Sequence, residues 1–332
     1  MNITYWLTNE CNFRCKYCYV EKSKKIMSEE ISDEALIFTD QIINKSLNDP
    51  VKINFHGGEP LLNFEIINRI YTYLEEKHHG KIKYYITTNG SILTLEIIEF
   101  LSNPNVELIV SLDGQKNSND FNRVSIDGQS SHDKVLKFLS ILKKYKENIK
   151  IRMTINPNNI ADLFDNFKYI YQLGHKYIVF SPDEGTNWDV KSIHNYEQQL
   201  EKVLEFLHTK DRKLCDFYKS TLKTFYFTKI SSCDGGISSF HINADGIIYP
   251  CILSVGKPKY SIGSTKNGLD ENKVKKLLIT KDEDNTTCKT CKMKNNCRNN
   301  KCKIINEIYT GNPLLPKASS CRLQHIYYNA LK

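Results

Sequence analysis

Cysteine is the residue type in this chain whose number and spacing could do chemistry. Three of the eleven cysteines lie within eight positions near the amino end, in the stretch CNFRCKYCY: Cys11, Cys15 and Cys18. Seven more fall in the last hundred residues: Cys233, Cys251, Cys288, Cys291, Cys297, Cys302 and Cys321. Short, repeated spacings are typical of metal ligands when thiols are kept reduced. The two groups therefore predict two metal-binding regions.

The composition predicts a folded chain in a reducing compartment. Its 332 residues are 40% hydrophobic and 25% charged, near the average for globular proteins and enough for a core and a second domain. The start MNITYWLTNE lacks the basic and apolar regions of a secretory signal, and no apolar run reaches membrane-spanning length. We therefore expect a cytoplasmic protein that does not associate with membranes.

The formal net charge of +8 would by itself suggest acidic or nucleic-acid partners. That inference is weak: if the cysteines hold iron-sulfur clusters, each cluster with its thiolates adds roughly one or two negative charges. Lysines such as Lys22, Lys24 and Lys25 are also scattered, as on a solvated surface. We predict no nucleic-acid partner.

Three thiolates on a four-iron cubane leave one iron without a protein ligand. A fourth cysteine would complete an electron carrier, whereas an open iron can chelate a small molecule through nitrogen and oxygen atoms. The CxxxCxxC spacing taken alone is equally compatible with a zinc site or with unrelated thiols. Other motifs that the fold places beside this loop are needed to distinguish an iron-sulfur cluster from a zinc site or unrelated thiols.

Apolar runs that alternate with helical patterns predict a parallel sheet with crossover helices. The runs VKINFH and IKIRMTI show period two, so one face of each strand is packed. Six units are too few for a closed eight-stranded barrel, so the predicted fold class is α/β, a partial (β/α)6 TIM barrel with functional loops at the carboxyl ends of its strands. The predicted strands are Ile3–Leu7, Val51–His56, Ile82–Thr87, Val106–Leu112, Ile149–Ile155 and Tyr177–Phe180.

Glycine-rich and polar motifs follow three further strands on the rim that carries the cysteine stretch: FHGGEP at 55–60, ITTNG at 86–90 and VSLDG at 110–114. The two glycines of GGEP allow backbone to approach a ligand closely, and Glu59 can accept hydrogen bonds from an ammonium group. The guanidinium of Arg123, in NDFNRV, suits a carboxylate. Each motif alone could be an ordinary turn or salt bridge, but their common location indicates a binding site.

CxxxCxxC with an aromatic residue before its last cysteine, here Tyr17, together with GGEP resembles the signature of the radical S-adenosylmethionine superfamily. The resemblance implies a 4Fe-4S cluster on the three cysteines, with the amino and carboxylate groups of S-adenosylmethionine on its open iron. It implies reductive cleavage of that cofactor to a 5'-deoxyadenosyl radical, which removes a hydrogen atom from the substrate. The cofactor-binding residues it implies are Tyr17, Gly57, Gly58, Glu59, Thr88, Asn89, Ser111 and Arg123.

The carboxyl-terminal cysteines read C-x12-G-x4-C, then C-x2-C-x5-C-x4-C, then a lone cysteine. Such CxxC pairs also build zinc ribbons. Taken together with the amino-terminal motif, the carboxyl-terminal cysteines resemble the SPASM extension of radical S-adenosylmethionine enzymes. This extension is a loop-rich iron-sulfur domain with two auxiliary 4Fe-4S clusters. Four residues separate Cys297 from Cys302, whereas the family pattern usually has three, which is a small departure from that pattern. The implied ligand sets are Cys288, Cys291, Cys297 and Cys321 for one cluster and Cys233, Cys251 and Cys302 for the other.

Cys215, in DRKLCDFY, is either a small buried residue or the fourth ligand of the three-cysteine auxiliary cluster. After residue 183 the pattern changes to amphipathic helices, with one apolar stripe formed by Tyr196, Leu200, Val203 and Leu207. We predict a radical S-adenosylmethionine barrel at 1–183, bridging helices at 184–232 and a SPASM domain at 233–332.

SPASM proteins as a group mostly modify peptides or proteins, and auxiliary clusters suit reactions that take an electron from a substrate radical. We therefore predict an oxidoreductase that oxidatively modifies or crosslinks a ribosomally synthesised peptide, with an electron donor such as flavodoxin or ferredoxin. One alternative is an anaerobic sulfatase-maturating enzyme, which forms formylglycine. Ile252 argues against it, since those enzymes carry an Asp base at that position. Another alternative is a non-catalytic zinc-binding interaction module.

The chain enters its first strand at once, so we expect a separate leader-binding protein, or the barrel and helices, to recognise the precursor. The catalytic base stays unknown. Asp245, His241 and Glu184 fall near predicted loops and are candidates for that reason alone.

Overall fold

The computed structural model describes residues 1–45, 50–227, 234–279, 285–295 and 297–330. The chain forms two compact units. The first comprises Met1–Leu112, Asn119–Arg152 and Asp234–Lys275, and the second comprises Asp113–Ser118, Met153–Cys233 and Lys276–Lys332. The predicted three-part division differs from this one, because the segment after residue 233 adds strands to the sheet of the first unit. The boundaries at 183/184 and 232/233 therefore stay a prediction.

The strands and helices are numbered in chain order. The strands are β1 (Asn2–Thr8), β2 (Phe13–Cys15), β3 (Val51–Gly57), β4 (Ile82–Thr88), β5 (Val106–Ser111), β6 (Arg123–Ser125), β7 (Lys150–Ile155), β8 (Ile178–Pro182), β9 (Ser239–Ile242), β10 (Ile247–Tyr249), β11 (Gly263–Ser264) and β12 (Gly268–Leu269). The helices are α1 (Glu29–Lys45), α2 (Phe64–His78), α3 (Leu95–Ser102), α4 (Lys116–Asn122), α5 (Ser131–Leu142), α6 (Leu163–Gln172), α7 (Val190–Lys210), α8 (Arg212–Phe227), α9 (Glu271–Ile279), α10 (Arg298–Lys301), α11 (Lys303–Thr310) and α12 (Ala318–Ala330).

The first unit is built on a sheet in which β1, β3, β4, β5 and β7 are parallel neighbours. β9 pairs with the other edge of β1, also parallel, and β10, β11 and β12 continue the sheet as antiparallel strands. In the second unit, β8 lies next to the last part of β7. The six predicted strands are present as β1, β3, β4, β5, β7 and β8, so the α/β fold class is confirmed.

The region expected to be loop-rich also contains strands and helices that the sequence did not predict. β9 has only four residues, too few for its alternation to predict a strand, and all four are buried. β10 has three residues, and β11 and β12 have two each, which is too short for a pattern. Their pairing is fixed by tertiary contacts.

Alternation divides the sheet of the first unit into two faces. Ile3, Tyr5 and Leu7 of β1 are fully buried, as is Ile53 of β3. The residues between such buried positions form what we call the open face: Thr4, Trp6, Lys52, Asn54, His56, Lys83, Tyr85, Thr87, Glu107, Ile109, Ser111, Lys150, Arg152, Ser239 and His241. This largely polar face and the carboxyl ends of its strands hold the candidate site.

The second unit includes the predicted bridging helices. α7 begins after Asp189, whose carboxylate accepts the Ser192 N–H at 2.7 Å. It packs against α6, α8 and α12. The predicted stripe is buried as expected: Tyr196, Leu200, Val203 and Leu207. Among the described residues, no helix has the length and apolarity to cross a membrane.

Candidate cofactor site and thiol cavity

The cysteine loop follows β1 in the first unit. The Cys11 sulfur accepts hydrogen bonds from the Phe13 N–H, at 3.4 Å, and from Asn89 Nδ2, at 3.7 Å. Cys11 and Cys15 are half-buried and Cys18 is exposed. Burial raises the pKa of the Cys11 thiol. The loop therefore presents three thiols at the carboxyl end of β1, as predicted.

The glycines of GGEP pack against the segment that leads into the cysteine loop. A Cβ on Gly57 would overlap the Thr8 carbonyl oxygen, and one on Gly58 would overlap the Glu10 carbonyl oxygen. The N–H groups of Gly58 and Glu59 donate to these same two oxygens, at 2.8 and 2.9 Å. Glycine is therefore required here by contact between two parts of the protein, whatever ligand binds nearby.

Glu59 is buried, and the protein itself occupies its carboxylate. One oxygen accepts hydrogen bonds from Thr88 Oγ1, at 2.7 Å, and from the Leu61 N–H, at 3.2 Å; the other accepts the Asn89 N–H at 2.7 Å. Burial raises the Glu59 pKa to about 7, against the lowering effect of these bonds. The carboxylate thus joins GGEP to the ITTNG turn. This leaves the backbone carbonyls of the motif as acceptors for an ammonium group.

The ITTNG turn is bonded in turn to the cysteine loop. Asn89 Nδ2 donates to Asn12 Oδ1 at 2.8 Å as well as to the Cys11 sulfur. Asn12 Nδ2 donates to Ser91 Oγ at 2.8 Å. Thr88 and Asn89, predicted to lie near the cofactor sugar, therefore also hold the rim together.

The residues assigned to the cofactor carboxylate lie on β5 and β6. Ser111 ends β5 and is 9% exposed, while Arg123 begins β6 and is 5% exposed. β6 pairs antiparallel with β2, with Arg123 in register with Cys15. The guanidinium carbon of Arg123 lies 5.4 Å from the centre of the Tyr17 ring. Arg123 and Tyr17 thus lie beside the cysteine loop.

Four carboxyl-terminal cysteines line one cavity of about 780 Å³ in the second unit: Cys288, Cys291, Cys297 and Cys321. Burial, then the nearby Cys297, Cys288 and Cys291 thiols, raise the pKa of Cys321 to about 12. Among the described residues, no three His, Cys, Asp or Glu side chains are arranged about a single ion position. The four thiols instead surround a wider space, and they are the set implied for one auxiliary cluster.

The remaining implied ligands belong to different units or lie outside the described residues. Cys251 is half-buried in the first unit, at the start of the turn Ile252–Ser254. Cys302 is half-buried in the second unit, between α10 and α11. Cys233 lies outside the described residues. This ligand set stays a prediction.

Cys215 has the surroundings of a core residue. It lies on α8 and is fully buried. Its thiol donates to the Leu204 carbonyl oxygen of α7 at 3.6 Å. Of its two sequence interpretations, this geometry favours the small buried residue.

The three candidate bases differ in their surroundings. His241 is buried on β9, and burial lowers its pKa to about 4, so it is neutral at pH 7. Asp245 pairs with Lys25 at 2.6 Å in the first unit. Glu184 belongs to the second unit, where burial raises its pKa. Asp245 is the weakest candidate base of the three, because its carboxylate is already paired with Lys25.

His56, for which the sequence predicted no role, lies beside this site. Its ring centre lies 4.9 Å from that of Trp6, and its Nε2 lies 3.2 Å from the Tyr19 hydroxyl. Its Nδ1 accepts the Gly57 N–H at 2.7 Å, so the proton is on Nε2. Burial lowers its pKa to about 3. The sequence signal that could have indicated His56 is its position among the alternating polar residues of β3, directly before GGEP.

The donor chemistry of the first site fits a 4Fe-4S cluster. Cys11, Cys15 and Cys18 supply three thiols, and the Cys11 sulfur already accepts two N–H groups, the kind of hydrogen bond that tunes cluster thiolates. The loop is fixed from two sides, by the GGEP and ITTNG motifs. The assignment of these residues to the cofactor stays a prediction.

Comparison with known proteins establishes the family. The model of the Radical SAM superfamily matches residues 6–170, a span that contains the cysteine loop and the motifs at the ends of β3, β4 and β5. The chain belongs to the radical SAM superfamily, as predicted. Membership implies an enzyme that uses S-adenosylmethionine and a 4Fe-4S cluster.

Curated relatives match part or most of the chain. An uncharacterized protein of Methanocaldococcus jannaschii is 34% identical over 176 residues, which are 52% of this chain and 59% of that protein. The radical SAM cyclopropyl synthase TigE of Paramaledivibacter caminithermalis is 31% identical over 175 residues, 48% of this chain and 36% of TigE. The chain thus matches less than two thirds of the length of either. The cysteine-type anaerobic sulfatase-maturating enzyme of Clostridium perfringens is 25% identical over 319 residues, 87% of this chain and 85% of that enzyme.

Solved structures share the fold. A structure of anSMEcpe with bound AdoMet gives a TM-score of 0.80 at 20% identity, over 99% of this chain and 92% of that one. Streptococcus suis SuiB bound to its precursor peptide SuiA gives 0.70 at 16% identity, over 96% and 75%. At these identities the likeness confirms the fold, and function must be argued from the site.

Proposed function

We propose that this protein is a radical S-adenosylmethionine maturase that oxidatively modifies or crosslinks a ribosomally synthesised peptide. The main support is the four-thiol cavity, in a chain that also carries the three-cysteine loop. A second iron-sulfur centre has a use when a substrate radical must give up an electron. SuiB with precursor peptide and anSMEcpe with Cp18Cys peptide are consistent with a peptide substrate.

When bound, S-adenosylmethionine supplies the 5'-deoxyadenosyl radical that removes a hydrogen atom from the substrate. The chain's own part is to hold and orient the cofactor. Cys11, Cys15 and Cys18 would hold the cluster, the GGEP backbone the amino group, and Ser111 and Arg123 the carboxylate. The hydrogen bonds between GGEP, ITTNG and the cysteine loop keep these groups in fixed positions.

We assign two auxiliary clusters, one in the four-thiol cavity and one on Cys233, Cys251 and Cys302. An electron donor such as flavodoxin or ferredoxin would complete the redox cycle. The ten described cysteines are all free thiols. They suit a reducing compartment such as the cytoplasm.

Sulfatase maturation is a second candidate, favoured by the 25% identity to the C. perfringens enzyme across 87% of this chain. Against it stands Ile252, the residue after Cys251, where those enzymes are expected to carry an Asp base. An isoleucine cannot accept a proton. We therefore rank peptide modification first.

The test is anaerobic purification and reconstitution, followed by iron and sulfide assays. With S-adenosylmethionine and a reductant, the loaded protein should form 5'-deoxyadenosine, and the Cys15→Ala variant should form none. Candidate precursor peptides should change mass, and a cysteine-containing sulfatase peptide should not gain an aldehyde. Aldehyde formation would support the sulfatase alternative, and colourless protein with bound zinc would support the interaction module.

A further inference from the structure

The open face of the first unit carries more positive than negative charge. Its cations are Lys52, Lys83, Lys150 and Arg152, and Glu107 is the one acid at the described positions of this face. Such an imbalance on a face beside a cofactor site favours an anionic ligand.

Three of the four cations on this face already have a partner. Glu107 pairs with Lys83 at 3.5 Å and also with Lys150. The ammonium of Lys52 lies 5.9 Å from the centre of the Tyr85 ring. These three therefore serve contacts within the sheet.

Arg152 differs from them. It is exposed, while Ile151 and Met153 on either side are fully buried, so its side chain belongs to the open face. It forms no ion pair with any residue in the described ranges. It is in register with Ser111, the β5 residue assigned to the cofactor carboxylate. A guanidinium with no ion-pair partner among the described residues thus lies level with the carboxyl end of β5.

The two histidines near Arg152 add no positive charge of their own. Arg152 is close enough to His56 to contribute to the lowering of that pKa, after burial and His241. Both histidines are neutral at pH 7, since their pKa values are about 3 and about 4. Arginine stays protonated at any physiological pH and presents a fork that matches a carboxylate.

We propose that Arg152 binds a substrate carboxylate, so that the peptide carries an Asp or Glu side chain at or beside the position modified. The inference rests on the proposed function and adds a substrate class to it. Arg123, beside the cysteine loop, remains the residue for the cofactor carboxylate. Arg152 is then a specificity-determining residue of the open face.

The test uses the reconstituted holoenzyme as wild type, Arg152→Gln, Arg152→Lys and the matched control Lys52→Gln. Each is loaded with S-adenosylmethionine and applied to an array of random 12-residue peptides. Wild type and Lys52→Gln should enrich peptides that contain Asp or Glu. Arg152→Gln should lose this enrichment by roughly tenfold, as expected for one charge-assisted pair, and Arg152→Lys should retain part of it.

The Kd for S-adenosylmethionine shows whether Arg152 binds the carboxylate of the substrate or that of the cofactor. It should stay within about twofold of wild type in Arg152→Gln; a tenfold increase would assign Arg152 to the cofactor and overturn the proposal. Peptide binding without acidic preference, or with a preference that survives Arg152→Gln, would overturn it and leave the proposed function intact. A wild-type enzyme that cleaves S-adenosylmethionine but binds no peptide would overturn both.

Discussion

Glu59 shows how one buried side chain can hold two motifs together. Its carboxylate accepts three hydrogen bonds, from Thr88, Asn89 and Leu61, at 1% exposure. A buried carboxylate is tolerated when every oxygen has donors, and removing one acceptor leaves donors without partners. The motif therefore has a structural role in addition to the ligand-binding role predicted for it.

Glu59→Gln should lower the free energy of unfolding by about 1–3 kcal/mol, because the amide turns an N–H group toward donors. The exposed Glu65→Gln on α2 is the matched control and should change it by less than about 0.5 kcal/mol. Anaerobic denaturant titration measures both. Equal stability of the two variants would contradict the structural role of Glu59.

Cys215→Ala should leave the iron content unchanged, because the Cys215 thiol is buried between α7 and α8. Cys321→Ala, in the four-thiol cavity, should lose the iron and sulfide of one 4Fe-4S cluster. Iron and sulfide assays with electron paramagnetic resonance of the reduced proteins provide the comparison. Loss of one cluster signal in Cys215→Ala would make it a ligand after all.

At the scale of elements, strand ends and loops are joined by close backbone packing. The end of β3 lies on the segment between β1 and Cys11, with no room for a side chain at Gly57 or Gly58. Elsewhere in the first unit, α1 and α2 are joined by Asp40, which accepts hydrogen bonds from His78 and Tyr73, both at 2.7 Å, and from Lys77. Both junctions hold secondary structure in position around the site.

Gly58→Ala should destabilise the protein by about 1–3 kcal/mol and weaken S-adenosylmethionine binding, because the new methyl group forces β3 away from the cysteine loop. Gly185→Ala is the control, since Gly185 is exposed, has no left-handed φ, and a Cβ there would meet only side-chain atoms, the nearest being Asp183 Oδ1 at 3.1 Å. Thermal unfolding and cofactor titration report the two effects. A Gly58→Ala variant that is no less stable than Gly185→Ala and binds the cofactor equally well would show that the loop adapts.

The Asp40 junction should make stability pH-dependent. Burial raises the Asp40 pKa, but hydrogen bonds from Lys77, His78 and Tyr73 outweigh it, so the net pKa lies below the ordinary 3.8. A lowered acid pKa stabilises the fold above about pH 4, and this contribution is lost as the pH falls below that value. Wild type should exceed Asp40→Asn by about 1.5–3 kcal/mol at pH 7 and by progressively less toward pH 3.

Urea titrations of wild type and Asp40→Asn at each pH measure this difference. Asp33→Asn is the control, since Asp33 pairs with Arg69 at an exposed site and should contribute less than about 1 kcal/mol. A difference between wild type and Asp40→Asn that stays constant down to pH 3 would rule out the titration of Asp40 as its source.

For the molecule as a whole, cluster chemistry and folding should be coupled. Thiols that surround a cavity of about 780 Å³ must hydrate or collapse when no cluster fills the space. The formal charge of +8 applies to the chain alone and falls when clusters bind. The loaded enzyme should be both less basic and more rigid than the iron-free chain.

Iron removal by an anaerobic chelator should therefore increase amide hydrogen exchange most in α10, which follows Cys297, and in α12, which carries Cys321, because both cysteines line the cavity. α1, which packs on α2 and carries no predicted ligand, serves as the internal reference. Hydrogen-exchange mass spectrometry before and after reconstitution measures the change. Identical exchange in both states would mean that the four thiols do not hold a cluster.

Local sequence signals determined the family, the six parallel strands and the cysteine groups. Ligand spacing and period-two alternation are encoded within a few residues, so they can be read without a structure. Tertiary structure alone decided that Glu59 bonds to Thr88 and Asn89, that Cys215 is buried beneath α7, that β9 extends the sheet beside β1, and that Arg152 stands exposed in register with Ser111. These features depend on residues far apart in the chain, whose pairing is set by packing of the whole fold.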